Sequence, residues 1–363
     1  MGEKDHINSS WSWGSKSSLI RGVAYDLGLT TKESKISGTE IDRPWGLLAE
    51  RADIYKKIVE NWGNKEEKIK LLNEAKNLDD LFEQFLKNKK PIEVDMGELG
   101  KQSSEYVELI PKGADLEKPP IVIVPGISNN VDGVGGFPIV LAFLLNRKVI
   151  IVGHPESSYG KVTKKFGEAV EKSDNFGPHM VFFKSAINQI MGEETEIDIC
   201  GISAGSIIVT ELMKNEGFNK KINQANIIAP PGEKEVKPKN VLKRLFMEGK
   251  GLVVDKQIQF WPKLIVSDLK PAIKNETDWR AMKDTFKTMG DKLSHRHEWW
   301  NNNLVSGKGK KTGVIIFGND GVTLGIEGVD EIRKNPDLEV TIMDGGHGTA
   351  AVESEKVIRK MKF

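Results

Sequence analysis

The residues that most restrict this chain run from Glu196 to Gly205, Glu-Ile-Asp-Ile-Cys-Gly-Ile-Ser-Ala-Gly. Ile197, Ile199 and Cys200 suggest a short strand, and Ser206 to Met213 continues as a buried helix. Between them Gly201-Ile202-Ser203-Ala204-Gly205 fits G-x-S-x-G, a sharp strand-to-helix turn that holds a serine hydroxyl out as a nucleophile. A side chain at Gly201 or Gly205 would collide with neighbouring backbone, so the turn requires small residues two before and two after the serine. The helix that follows points its amide end at the place where negative charge would develop.

Around this turn the chain alternates. Ile92-Glu93-Val94 and Glu105 to Ile110 read as an antiparallel pair of strands. Ile121-Val122-Ile123-Val124 and Val149-Ile150-Ile151-Val152 are uninterrupted apolar runs, as expected of strands buried on both faces. A helix from Phe137 to Leu145 lies between them, and Phe166 to Ile190 supplies helical material before the serine strand. Further strands are expected at Ile222 to Ala229, Val314 to Phe317 and Leu338 to Met343, with an amphipathic helix from about Thr349 to Met361. Such alternation predicts an α/β fold with a mostly parallel central sheet flanked by helices.

The flanking regions follow other rules. Residues 1–40 are rich in Ser, Gly, Lys and Thr and read as a loose arm around Trp11 and Trp13. Trp45, Leu48, Ala52, Tyr55, Val59 and Trp62 recur at three and four residues, one apolar stripe of a helix. Asn64-Lys65-Glu66-Glu67 resembles a capping box opening a second helix, and a third is expected after Asn77. These short helices are expected to pack on the sheet that follows, since alone they make a small core. Residues 232–311 hold Phe246, Phe260, Trp261, Trp279, Phe286, Trp299 and Trp300 among many lysines, without alternation, and read as a helical insertion. The resulting division is 1–90 arm and helical extension, 91–231 first part of the core, 232–311 insertion, and 312–363 remainder of the core.

Composition narrows the function classes. A formal net charge of +1 points neither to nucleic acid nor to a membrane surface. The lone Cys200 excludes an internal disulfide and agrees with a reducing compartment. The start lacks the apolar run of a signal peptide, and Ile7 follows His6 where a myristoylation pattern needs Ser or Thr at position 6. The greasy stretch from Val134 to Val152 is broken by Asn146, Arg147 and Lys148, so no membrane span is expected. A cytoplasmic location is the expectation. His295-Arg296-His297-Glu298 does not suggest a metal, because alternating histidines on a helix diverge. Neither a metal nor a cofactor is expected.

Two later loops join the serine. Gly318-Asn319-Asp320-Gly321 follows the strand ending at Phe317, and Asp344-Gly345-Gly346-His347-Gly348 follows the strand ending at Met343. All three sit just past the carboxyl ends of expected parallel strands, the edge where open α/β sheets build their sites. Asp344 and Asp330 are alternative acids to Asp320. In this order of Ser203, Asp320 and His347, the chain resembles the α/β-hydrolase superfamily over roughly residues 91–231 and 312–363. The resemblance implies Ser203 as nucleophile, Asp320 as acid and His347 as base. It also implies amide donors at Ile127 and Ala204, with Gly126 in the oxyanion turn and the insertion as a lid. The chain departs from the common pattern in carrying Pro125 where many members carry histidine. His154, just past a strand, is either an ordinary loop histidine or a candidate to line the substrate pocket.

The resemblance implies a serine hydrolase that cleaves a carboxylic ester or thioester of a small-molecule acyl substrate. Acyl transfer on the same three residues and a non-catalytic hydrolase-like scaffold are the competing readings.

Overall fold

The computed structural model describes residues 54, 57, 64–126, 131–134, 136–157, 160–173, 176–230, 312–320, 329–347, 349–352 and 354–363. The expected arm, most of the tryptophan-containing helix and the insertion lie outside these residues, as does Ile127.

Eight strands form one sheet: β1 (Lys90–Asp95), β2 (Lys101–Leu109), β3 (Ile121–Val124), β4 (Val149–Val152), β5 (Ile197–Ile202), β6 (Ile222–Ile228), β7 (Thr312–Phe317) and β8 (Leu338–Met343). Their order is β1-β2-β4-β3-β5-β6-β7-β8. The β1–β2 and β2–β4 pairs are antiparallel and every other pair is parallel. Every residue of β3, β4, β5 and β7 is buried, whereas the edge strands β1 and β8 alternate with exposed positions. An all-apolar run is therefore the signature of a strand covered on both faces.

Side chains alternate across the sheet into two cores. Ile121, Ile123, Val149 and Ile151 point to one face, Val122, Val124, Ile150 and Val152 to the other. On the first face lie helices α1 (Lys65–Lys87) and α2 (Phe137–Leu145), together with Val357 and Ile358 near the C-terminus. On the second lie α4 (Gly177–Met191) and α5 (Gly205–Lys214), while α3 (Lys164–Lys172) precedes α4 in the chain.

The first helix differs from the sequence reading. The segments expected as two helices form a single one, α1, of 23 residues. Asn64 caps it as expected, its side chain accepting the Glu67 amide at 3.2 Å. Asn77, taken as the start of a new helix, instead accepts the Lys112 amide at 3.1 Å from outside the helix. The asparagine that looked like a cap is a tie between helix and sheet. Leu71, Ala75, Leu78, Leu81 and Phe85 of α1 are buried in the same core as β3 and β4.

The C-terminal helix is shorter than expected, with helical turns over Thr349–Val352 and Ser354–Ile358. Among the described residues no helix is long and apolar enough to cross a membrane.

Candidate active site

The order of strands places a switch point at β3. The chain runs from β3 outward to β4, then returns to the opposite side of β3 to form β5. Loops leaving the carboxyl ends of β3 and β5 therefore diverge to opposite faces, and the crevice they leave is where open α/β sheets bind ligands. Val124 and Gly201 are paired across that boundary. Pro125 and Gly126 leave one strand there, and Ser203 leaves the other.

Ser203 has φ of 55°, the left-handed region that residues with a side chain rarely occupy. Such strain persists where the surroundings over-determine the backbone. Here the Ser203 amide donates to the Ile228 carbonyl of β6 at 2.8 Å, and the Ser206 amide returns to the Ser203 carbonyl at 3.0 Å. The flanking glycines are required for close approach. A Cβ on Gly201 would lie 2.7 Å from the Gly205 carbonyl oxygen, and one on Gly205 would lie 2.2 Å from that of Val124. Ser203 remains half-buried at the mouth of this turn, and Ala204 is buried at the foot of α5.

The loops carrying Asp320 and His347 are stitched together by backbone. The Gly318 amide donates to the Met343 carbonyl at 2.9 Å, and the Asn319 amide to that of Gly345 at 3.0 Å. These bonds extend the β7–β8 ladder beyond its last strand pair, so the residues that follow meet. Asp320 Oδ2 lies 2.9 Å from His347 Nδ1. The carboxylate is almost fully enclosed while the imidazole keeps a 13% exposed edge. Among the three acids considered, Asp320 is the one paired with this histidine through its side chain. A carboxylate on Nδ1 fixes the hydrogen there, which makes Nε2 the basic nitrogen of the ring.

His154 sits differently from the sequence expectation. Its side chain is fully buried, with Nε2 3.0 Å from the Pro125 carbonyl oxygen and Nδ1 3.1 Å from Glu156 Oε1. Both ring nitrogens are engaged, so it has no polar atom left to offer a substrate. Glu156 Oε1 is shared with His179 Nε2 at 3.1 Å. Burial alone would push the Glu156 carboxyl up. The imidazoles of His179 and His154 override it and hold the carboxyl well below the ordinary carboxylate range. Among the described residues these three are the group that could offer ligand atoms to a metal, the atoms lying within 4.8 Å of one another.

Sequence reasoning missed Glu156 and His179. The His-x-Glu spacing after β4 was the available signal, but His179 lies on a helix 23 residues beyond Glu156. Cys200 is buried in the sheet, which pushes its thiol up, away from the reactive thiolate.

No family model and no curated protein matches the chain. Solved structures do. An alpha/beta hydrolase fold protein from Chitinophaga pinensis is 15% identical, with a TM-score of 0.50, covering 75% of this chain and 94% of its own. A putative lipase from Acinetobacter baumannii AYE is 14% identical, with a TM-score of 0.54, covering 79% and 93%. The 2-hydroxy-6-oxo-6-phenylhexa-2,4-dienoate hydrolase from Rhodococcus sp. strain RHA1 is 13% identical, with a TM-score of 0.54, covering 74% and 96%. This chain shares their fold.

Proposed function

We propose that this chain, which has the α/β-hydrolase fold, is a serine hydrolase that cleaves a carboxylic ester or thioester through an acyl-enzyme. The observation that carries the reading is the strained Ser203 at the switch point, on the same sheet edge as the 2.9 Å pair of Asp320 and His347.

The chemistry follows from those positions. Ser203 Oγ attacks the acyl carbon while His347 Nε2 takes the hydroxyl proton. Asp320 holds the Nδ1 hydrogen and stabilises the imidazolium. The oxyanion is received by the amides of Ala204 and Ile127, each such donor contributing on the order of 100- to 1000-fold in rate. His347 then gives its proton to the leaving alcohol or thiol as the carbon–heteroatom bond breaks. Water, deprotonated in turn by His347, attacks the acyl-serine and releases the acid and the free hydroxyl.

A fluorophosphonate probe tests the nucleophile. Wild type labels covalently at Ser203, and Ser203→Ala and His347→Ala do not. Labelling that persists in a folded Ser203→Ala variant removes the assignment. A series of p-nitrophenyl esters of increasing chain length then reports the acyl preference.

A further inference from the structure

We propose that His154, braced by Glu156 and His179, is a positioning residue that latches the Pro125 carbonyl and so orients the chain leading to the oxyanion donor Ile127. The inference rests on the hydrolase reading for its catalytic consequence, though the latch itself is a structural statement.

Proton bookkeeping gives the argument. A carbonyl oxygen only accepts, so the His154 nitrogen facing Pro125, Nε2, carries a hydrogen. Nδ1 lies 3.1 Å from Glu156 Oε1, so the ring is held at both nitrogens. His179 Nε2 donates the second hydrogen bond to the same oxygen. The chain from α4 through Glu156 to His154 ends on the Pro125 carbonyl.

That carbonyl also packs against Gly205. A Cβ on Gly205 would stand 2.4 Å from it, so the first turn of the nucleophile helix packs directly against this peptide. With both Gly205 and His154 against its carbonyl, the Pro125–Gly126 peptide plane has little freedom to rotate. Its orientation sets the direction of the chain entering the oxyanion turn. The brace is rigid because its rings are packed: His154 lies edge-on to Phe183 at 5.0 Å, and His179 edge-on to Phe166 at 5.2 Å. A histidine–carboxylate cluster stripped of water holds its geometry, since every displacement leaves a buried polar atom without its partner.

The same three residues could instead clasp a cation, and the hydrogen count argues against it. A metal on His179 Nε2 would place that ring's hydrogen on Nδ1, which is buried and has no hydrogen-bond partner. A metal-binding histidine normally donates its second nitrogen to a partner, and His179 has none.

The experiment compares wild type with His154→Phe, which keeps a ring against Phe183 but cannot donate, and His154→Gln, whose amide can reach a carbonyl. Hydrogen exchange is read at the amides following Pro125, alongside kcat and KM on a p-nitrophenyl ester. In His154→Phe those amides should exchange about tenfold faster or more, with β3 and β5 unchanged. kcat should fall on the order of 100-fold with KM within about twofold, as for loss of one oxyanion donor. His154→Gln should recover most of both. Unchanged exchange after Pro125 in a folded His154→Phe overturns the latch, whatever the activity. So does one equivalent of transition metal in the purified wild type that Glu156→Gln removes. Altered exchange with kcat preserved overturns the positioning role alone. Wild type inert towards both ester and fluorophosphonate sinks the hydrolase reading and leaves the exchange measurement to decide the latch.

Discussion

Asp320 and His347 meet across the ends of adjacent parallel strands, Oδ2 and Nδ1 2.9 Å apart, because the β7–β8 ladder continues into the two loops that carry them. The pairing assigns the histidine its tautomer. Asp320→Asn should therefore keep the fold but present the wrong nitrogen to Ser203, lowering kcat on ester substrates about 10,000-fold. Steady-state kinetics beside a thermal melt check this. An Asp320→Asn enzyme of near wild-type rate would return the acid role to another residue.

The nucleophile turn is a steric construction and should fail sterically. Gly205→Ala places a Cβ 2.2 Å from the Val124 carbonyl and 2.4 Å from that of Pro125, both backbone atoms that cannot swing aside. The expected loss is roughly 1–3 kcal/mol of stability, as for other overpacked sites. Urea unfolding measures it, and the fluorophosphonate labelling rate should fall alongside.

At the opposite end of β5, Asp198 accepts Arg147 Nη2 at 2.6 Å and Asn223 Nδ2 at 2.8 Å, and the same guanidinium nitrogen reaches the Pro119 carbonyl. Both charged side chains are buried, at 7% and 1% exposure. Asp198→Ala strands the arginine and should cost roughly 3–5 kcal/mol. Asp198→Asn keeps hydrogen-bond acceptance and should cost less. Chemical denaturation of the two variants, with kcat of the folded fraction unchanged, separates this support from the site.

Glu108 gives a pH signature. Burial works to raise its carboxyl, but Lys148 at 2.6 Å and Lys90 at 2.8 Å prevail, and its folded pKa lies below the ordinary value. The folded state thus binds fewer protons than the unfolded state in the acid range. The contribution is fully present above the unfolded carboxylate value near 4.3 and disappears as pH falls through the lower folded value. The stability gap between wild type and Glu108→Gln, measured by urea unfolding from pH 7 to pH 3, should shrink towards the acid end. A gap constant across that range would show that the two lysines do not hold the charge.

The parts legible in the sequence are those that a few consecutive residues dictate. The runs at 121–124 and 149–152 coincide end to end with β3 and β4, because an uninterrupted apolar run is stable only where both faces of the strand are covered. The pentapeptide around Ser203 announced its turn because the two glycines answer a clash within the turn and with the strand beside it. Asp320 and His347 could be foreseen as neighbours because each follows a strand of one sheet, and strand ends on one edge lie close together.

What the tertiary structure decided is the partner of each enclosed polar atom. Asn77 read as a helix start by local preference, yet its side chain was taken by the Lys112 amide, so the helix ran through it. His154 read as a pocket residue, yet it faces inward to Pro125 and Glu156, with His179 arriving on a separate helix. Periodicity and glycine sterics act over a turn or a strand and so are written locally. A buried proton or charge must be matched by whichever groups folding strips of water beside it, and that company is chosen by the whole chain.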